Sequence, residues 1–275
     1  MSTPPAFVRD TAVHPVGDGR WSARIDPSWW ILRGPNGGYV AAVVLRAVIA
    51  EVADPARPPR SATFHYLRSP DQGPVEVQVT LERAGRTVTN VSARLTQGGR
   101  TCVVALVALG AARHTPAEFD DDRGLPTRPD GTVVPPPERI PPVDVDPERT
   151  VPMRDHYDLR WALGDLPFRP GGRPEARCGG WMRLVEAVPV DEVVLVAMAD
   201  AWLPPVFSRL ALPLAVPTVD LTVHFRGRPT VDDGWVFGEF ASPVGRDGYL
   251  VESGRLLDHT GRLLAEVRQT AFVAG

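Results

Sequence analysis

The chain has no lysine: each of its 30 basic residues is arginine. That reads more readily as coding bias of the source than as function, although arginine suits phosphate groups. Only two cysteines occur, Cys102 and Cys178, in unlike surroundings and without metal-ligand spacing. Two cysteines in 275 residues make no disulfide framework, so a reducing, cytoplasmic setting is expected. There is no basic run, and a net charge of −3 argues against a general nucleic-acid binder. His14, His114, His156 and His259 form no metal-ligand spacing. The opening MSTPPAFVRD lacks a basic start followed by an apolar run, so no signal peptide is expected. The longest apolar helix candidates are interrupted by Arg46 or Asp200 and fall short of a membrane span, so no membrane insertion is expected.

What is present is an ordinary globular composition, 43% hydrophobic and 23% charged. The length suits one large domain or two intimately packed ones. The stretch Asp191–Leu203, DEVVLVAMADAWL, reads as a helix of about three turns. Asp191 caps it, Glu192 lies in its first turn, and Pro204-Pro205 stop it. Val193 to Ala199 leave no polar face, so it should be buried nearly all round. Asp200 shares a stripe with Val193, Val196 and Ala197 near the C-terminal end, where a carboxylate meets the unfavourable end of the dipole. Such an acid either bonds loop amides beyond the helix or has a chemical task.

In chain order, residues 1–20 are polar and proline-rich and read as a short strand or arm at most. Trp21–Ile25 alternates like a strand. Gly34–Gly38 leads into a second apolar helix over Tyr39–Val52, closed by Asp54-Pro55. Four strands follow: SATFHYLRS, VEVQVTLERAG, TVTNVSARLTQ and RTCVVALVALG. Residues 111–150 are rich in proline and charge without periodicity and read as a linker. Beyond them come DHYDLRWAL and ARCGGWMRLVE, the Asp191–Leu203 helix, and four more strands ending in RLLAEVRQTAFV. The order repeats. Thr63–Tyr66 recurs as Thr222–Phe225, an offset of 224 − 65 = 159, and Gly99-Arg100 as Gly261-Arg262, an offset of 261 − 99 = 162. The domains expected are therefore an N-terminal repeat over 1–110, the 111–150 linker, and a C-terminal repeat over 151–275. A helix apolar all round needs a wrapper, and a curved antiparallel sheet from its own half supplies one.

On GPNGGYVAA at the first helix, LVAMAD in the second, PTVDLTVHFR after it and GRLLAEVRQTAF at the end, the chain resembles the double-hotdog acyl-CoA thioesterase II family. The resemblance covers nearly all of it except the linker and the extreme N-terminus. It implies an α+β double hotdog, two tandem antiparallel sheets each wrapped round a central apolar helix. It also implies hydrolysis of an acyl-CoA substrate in lipid metabolism, without metal or cofactor. Carried over by position, the residues that hold the attacking water are Asp200, Thr218 in PTVD and Gln269 in EVRQT. The donors to the thioester oxygen fall on the helix N-terminus at Asn36, Gly37 and Gly38.

The residues can be weighed against that chemistry directly. Burial would raise the Asp200 pKa and make it a better base. Gln269 shares its strand face with Leu263, Ala265, Val267 and Ala271, so its amide must bond something, Asp200's water or a backbone group. Thr218 alternates in step with Asp220, Thr222 and His224, the polar side, and needs a bulge to turn inward. A bare helix start at Asn36–Gly38 offers unpaired amides, or is a plain loop-to-helix transition. Val107 stands where the repeat places Gln269, which leaves one active constellation per chain and makes the first half a scaffold. His65 and His224 recur in the repeat and read as structural. Trp29, Trp30, Trp202 and Phe207 line an acyl pocket or fill the core. No G-x-S-x-G elbow is present, which removes the commonest serine route. A non-catalytic acyl-binding protein of the same fold is the competing reading. A hotdog hydratase is disfavoured, because the Asp200 segment has no histidine. Exposed sheet edges make a homodimer or larger homo-oligomer plausible.

Overall fold

The computed structural model describes residues 3–120, 124–143, 150–168, 175–211 and 214–274. Its elements are α1 (Ala6–Asp10), β1 (His14–Gly17), β2 (Arg20–Ile25), α2 (Gly37–Val52), β3 (Pro59–Tyr66), β4 (Gly73–Ala84), β5 (Val88–Gln97) and β6 (Arg100–Gly110). The second half adds β7 (Tyr157–Leu163), β8 (Arg177–Leu184), α3 (Glu192–Met198), β9 (Thr218–Phe225), β10 (Val236–Arg246), β11 (Tyr249–Leu257) and β12 (Leu263–Phe272).

Asn36 starts α2 by accepting the Tyr39 amide at 2.9 Å, and Ala53 ends it in the left-handed region at φ 49°. The helix carries Val40, Val43, Val44 and Val48, β-branched residues that each cost a few tenths of a kcal/mol in a helix. All four are almost fully buried. Burial of such a side chain contributes about 1.5–3 kcal/mol, so packing decides. Asp191 starts α3 by accepting the Val193 and Val194 amides at 2.9 Å each. The two helices pack against each other inside one core.

The twelve strands of the described residues form one sheet in the order β1-β2-β4-β5-β6-β3-β9-β12-β11-β10-β8-β7. The second half of that order is the first half reversed, so each repeat supplies six strands and its own helix. The repeats join where β3 pairs antiparallel with β9. Thr63 lies opposite Thr222 there, with their hydroxyls 3.0 Å apart. These are repeat-equivalent residues, so a local two-fold passes between them, as in an isologous interface. His65 and His224 sit on the same seam, opposite Asp220 and Ser61.

Two readings need correction. Of residues 1–20, expected as a strand or arm at most, 1–2 lie outside the described residues, and 3–20 form more than that: α1 precedes β1, because Phe7 is buried and packs edge-on against Trp29 at 5.6 Å. The second helix is also shorter than Asp191–Leu203. It ends at Met198, and the chain then tightens, with the Asp200 amide donating to Ala197 O at 3.3 Å and the Ala201 amide to Met198 O at 3.2 Å. In the proline-rich stretch, Val134 and Ile140 are buried in a second apolar cluster with Trp181, Phe237 and Leu257. Arg160 fixes that stretch by donating to Ile140 O at 2.8 Å.

Candidate active site

The turn after α3 carries the Asp200 carboxylate across the molecule to the start of α2. Its Oδ2 accepts the Gly38 amide at 3.0 Å and Asn36 Nδ2 at 3.1 Å. Asn36 Nδ2 also donates to the Asp200 carbonyl at 2.7 Å. A carboxylate at the unfavourable end of its own helix thus lies at the favourable end of the other repeat's helix. Close approach requires glycine. A Cβ on Gly38 would lie 2.5 Å from Ala197 O, and one on Gly37 would lie 2.9 Å from Asp200 Oδ2. Tyr66 closes the corner by donating its hydroxyl to Gly37 O at 2.9 Å.

The amides at this helix start are therefore not unpaired, as the sequence suggests. Gly38 N–H is taken by Asp200 and Tyr39 N–H by Asn36 Oδ1, because the cap and the acid satisfy the orphan donors of the first turn. Burial pushes the Asp200 carboxyl up to about 6, while hydrogen bonds from the Gly38 and Gly37 amides and from Asn36 pull it down. The residue as a whole is half-buried, at the turn where α3 ends.

On β12 the buried positions are Leu264, Ala265, Val267, Gln269 and Ala271; from Ala265 onward they are the face expected from alternation, whereas Leu263, expected on it too, is half-buried. The β9–β12 pairing slips between Thr270 and Ala271, where Ala271 lies opposite Thr218. That bulge turns Thr218 out of step with Asp220 and brings its hydroxyl to 3.5 Å from Gln269 Oε1. The other end of the same amide donates to Glu252 Oε1 at 2.8 Å. Glu252 is a buried acid on β11, directly opposite Gln269. Burial first, and the Asp200 charge second, push it up to about 8, against the Gln269 hydrogen bond. The Glu252 carboxyl thus lies in the field of Asp200, and the amide links it to Thr218.

Glu252 was not singled out from the sequence. Its signal is an acid in phase with Leu250, Gly254 and Leu256, the buried face of β11. Tyr66 and Tyr157 were missed as well; the Asp200 charge acts on both phenols and, after burial, adds to the upward push on their pKa. The Tyr157 hydroxyl is buried without a partner among the described residues. Trp29, by contrast, is core: it stacks on Tyr39 at 5.0 Å and on His156 at 3.9 Å, and its Nε1 donates to Asp10.

The first repeat provides an internal control. Its β5–β6 pairing puts Val91 opposite Val107 where the second half has Glu252 opposite Gln269. Its own bulge puts Pro59 opposite Leu109 where the second half has Thr218 opposite Ala271. The fold is satisfied with apolar residues at these places. The polar set belongs to one half.

Two surface cavities of about 340 and 430 Å³ lie elsewhere, and neither is lined by Asp200, Thr218 or Gln269. Among the described residues no group of three or more His, Cys, Asp or Glu could hold a metal ion, and no helix is long and apolar enough to cross a membrane.

Compared with known proteins, residues 26–110 match the family of the acyl-CoA thioesterase N-terminal domain, and residues 137–273 that of the C-terminal domain. An uncharacterized protein of Mycobacterium tuberculosis is 28% identical over 269 residues, spanning 92% of this chain and 90% of its own. Among solved structures, a hot dog fold protein of unknown function from Alicyclobacillus acidocaldarius superposes with a TM-score of 0.86 at 24% identity over 99% of both chains. A candidate thioesterase II of Thermobifida fusca gives 0.79 at 27% identity over 98% of both. An acyl-CoA thioesterase II of Mycobacterium marinum gives 0.77 at 21% identity over 98% of both.

Proposed function

Because the chain belongs to the acyl-CoA thioesterase family, we propose that it hydrolyses an acyl-CoA thioester to free acid and CoA through a water held by Asp200, Thr218 and Gln269. The observation that carries this reading is the Asp200 carboxyl: pinned by Gly38 and Asn36 at the start of the other repeat's helix, and raised by burial to about 6. A base of that strength is largely ionised at neutral pH and stronger than a surface carboxylate.

In this mechanism the water oxygen attacks the thioester carbonyl carbon while Asp200 takes its proton. Gln269 orients the water by accepting its second proton at the amide oxygen, and Thr218 holds that oxygen by donating its hydroxyl to it. The thioester carbonyl rests against the Asn36–Gly38 turn. With the Gly38 amide engaged by Asp200, that turn contributes the positive end of the α2 dipole, which favours the growing oxyanion. Collapse of the tetrahedral intermediate breaks the C–S bond. The CoA thiolate leaves and recovers the proton from Asp200. Water, base and dipole complete the reaction, so no metal or cofactor enters.

The same reading sets the protein in cytoplasmic lipid metabolism. It also makes it a homodimer or larger homo-oligomer, through the β1 end of the sheet, since at the β7 end the Val143 amide already donates to Leu159 O at 3.0 Å.

The test is thiol release from a panel of short- to long-chain acyl-CoAs, wild type against Asp200→Asn. Turnover by the wild type and its loss in the folded variant are expected. Binding of acyl-CoA without turnover would instead support a non-catalytic acyl-binding protein.

A further inference from the structure

We propose that Glu252 is a positioning residue for this hydrolysis, anchoring the Gln269 amide at one end while Thr218 engages the other; the proposal rests on the function proposed above. The geometry is direct. Gln269 Nε2 reaches Glu252 Oε1 at 2.8 Å, and Gln269 Oε1 receives the Thr218 hydroxyl at 3.5 Å. A glutamine held at one end by a long contact keeps rotamer freedom; a second, short bond on the far side removes it.

A purely structural role does not account for the pair. At the equivalent position of the first repeat, Val91 faces Val107, each almost fully buried, and the sheet closes without a hydrogen bond between side chains. Burying an acid and an amide there costs more than burying two valines, so the second repeat carries a local loss of stability that needs a purpose.

The charge state fits a support rather than a second base. The titratable groups that face Glu252 are Asp200, from the turn after α3, and Cys178, on β8. Burial pushes the Cys178 thiol well up, so it is neutral. Register places the uncharged Ser242-Pro243 bulge of β10 on the other side. With its carboxyl pushed up to about 8, Glu252 is an uncharged acid at neutral pH and sets no second negative charge beside Asp200 or the oxyanion. Above that pH it ionises, and its charge opposes the developing oxyanion.

The experiment compares wild type, Glu252→Leu and Glu252→Gln. Glu252→Leu removes the anchor. It is expected to lower kcat roughly 10–100-fold, the range for losing a supporting partner, with little change in KM. Glu252→Gln keeps a neutral acceptor, so it is expected to recover most of that loss and to abolish the alkaline fall near pH 8. The readout independent of activity is solvent exchange of the Gln269 side-chain amide protons by NMR. They should be protected in wild type and Glu252→Gln, and exchange fast in Glu252→Leu. Wild-type kcat and unchanged amide protection in Glu252→Leu would overturn the proposal, as would a Glu252→Gln no better than Glu252→Leu. Should Glu252→Leu not fold, Glu252→Gln decides, through its alkaline limb and its amide protection. If the wild type released thiol from no acyl-CoA, the function would fall, while the amide exchange would still judge the anchor.

Discussion

The Asp200 carboxylate and the Gly38 amide meet at 3.0 Å across the two repeats, so the acid and the helix end that holds it come from different halves of the chain. Neither half is complete alone. One repeat has the apolar pair Val91 and Val107 where the other has Glu252 and Gln269.

Asp200→Asn separates chemistry from folding. Losing a general base costs about 10²–10⁴ in kcat. The stability effect has the opposite sign. Asp200 is raised from 3.8 to about 6 in the folded chain, so its contribution is fully present below the unfolded pKa and lost as pH rises through 6. At pH 8 the ionised form costs the fold on the order of 3 kcal/mol at most. The asparagine variant should therefore melt higher than wild type at pH 8, with the gap closing near pH 4; calorimetry at the two pH values measures it.

The same titration sets the acid limb of activity. kcat/KM should fall tenfold per pH unit below about pH 6, where Asp200 takes up a proton. A limb lying near pH 4 would mean that an unshifted carboxylate is the base.

Gly37 and Gly38 permit the approach of α2 to Asp200, and the two should differ on substitution. A Cβ at Gly38 meets Ala197 O at 2.5 Å, a backbone atom that cannot rotate away. Gly38→Ala is expected to destabilise by about 1–3 kcal/mol and to abolish activity. At Gly37 the Cβ meets Asp200 Oδ2 at 2.9 Å, the end of a side chain. Gly37→Ala should lose turnover with a smaller loss in urea midpoint.

Much of this was legible in the sequence for identifiable reasons. The apolar run Val193–Ala199 and the recurrence of Thr63–Tyr66 at Thr222–Phe225 gave the wrapped helix and the duplication, because burial leaves a periodic trace. Gln269 was visible through alternation on β12. The destination of Asp200 was not: helical spacing describes its own helix, whereas its partners Asn36 and Gly38 lie more than 160 residues away, with sequence separations of 164 and 162. The bulge at Thr218 depends on pairing with β12, which no local pattern encodes. Glu252 was overlooked because a lone acid between Val251 and Ser253 resembles an outward residue until the strand's phase is fixed by Leu250 and Leu256.

Installing the first repeat's pair in the second tests what the polar set is for. Gln269→Val alone leaves the buried Glu252 without its hydrogen bond, so it should destabilise by about 1–3 kcal/mol, the cost of a stranded polar group. Adding Glu252→Val removes that stranded acid and recreates the Val91–Val107 arrangement. The double variant should then melt at or above wild type, a coupling that a double-mutant cycle reads directly. Its kcat should stay at the level of Gln269→Val, because the amide that orients the water is gone in both. A double variant that regained activity would remove Gln269 from the mechanism. One that melted no higher than the single variant would show that the acid and the amide are not coupled in the fold.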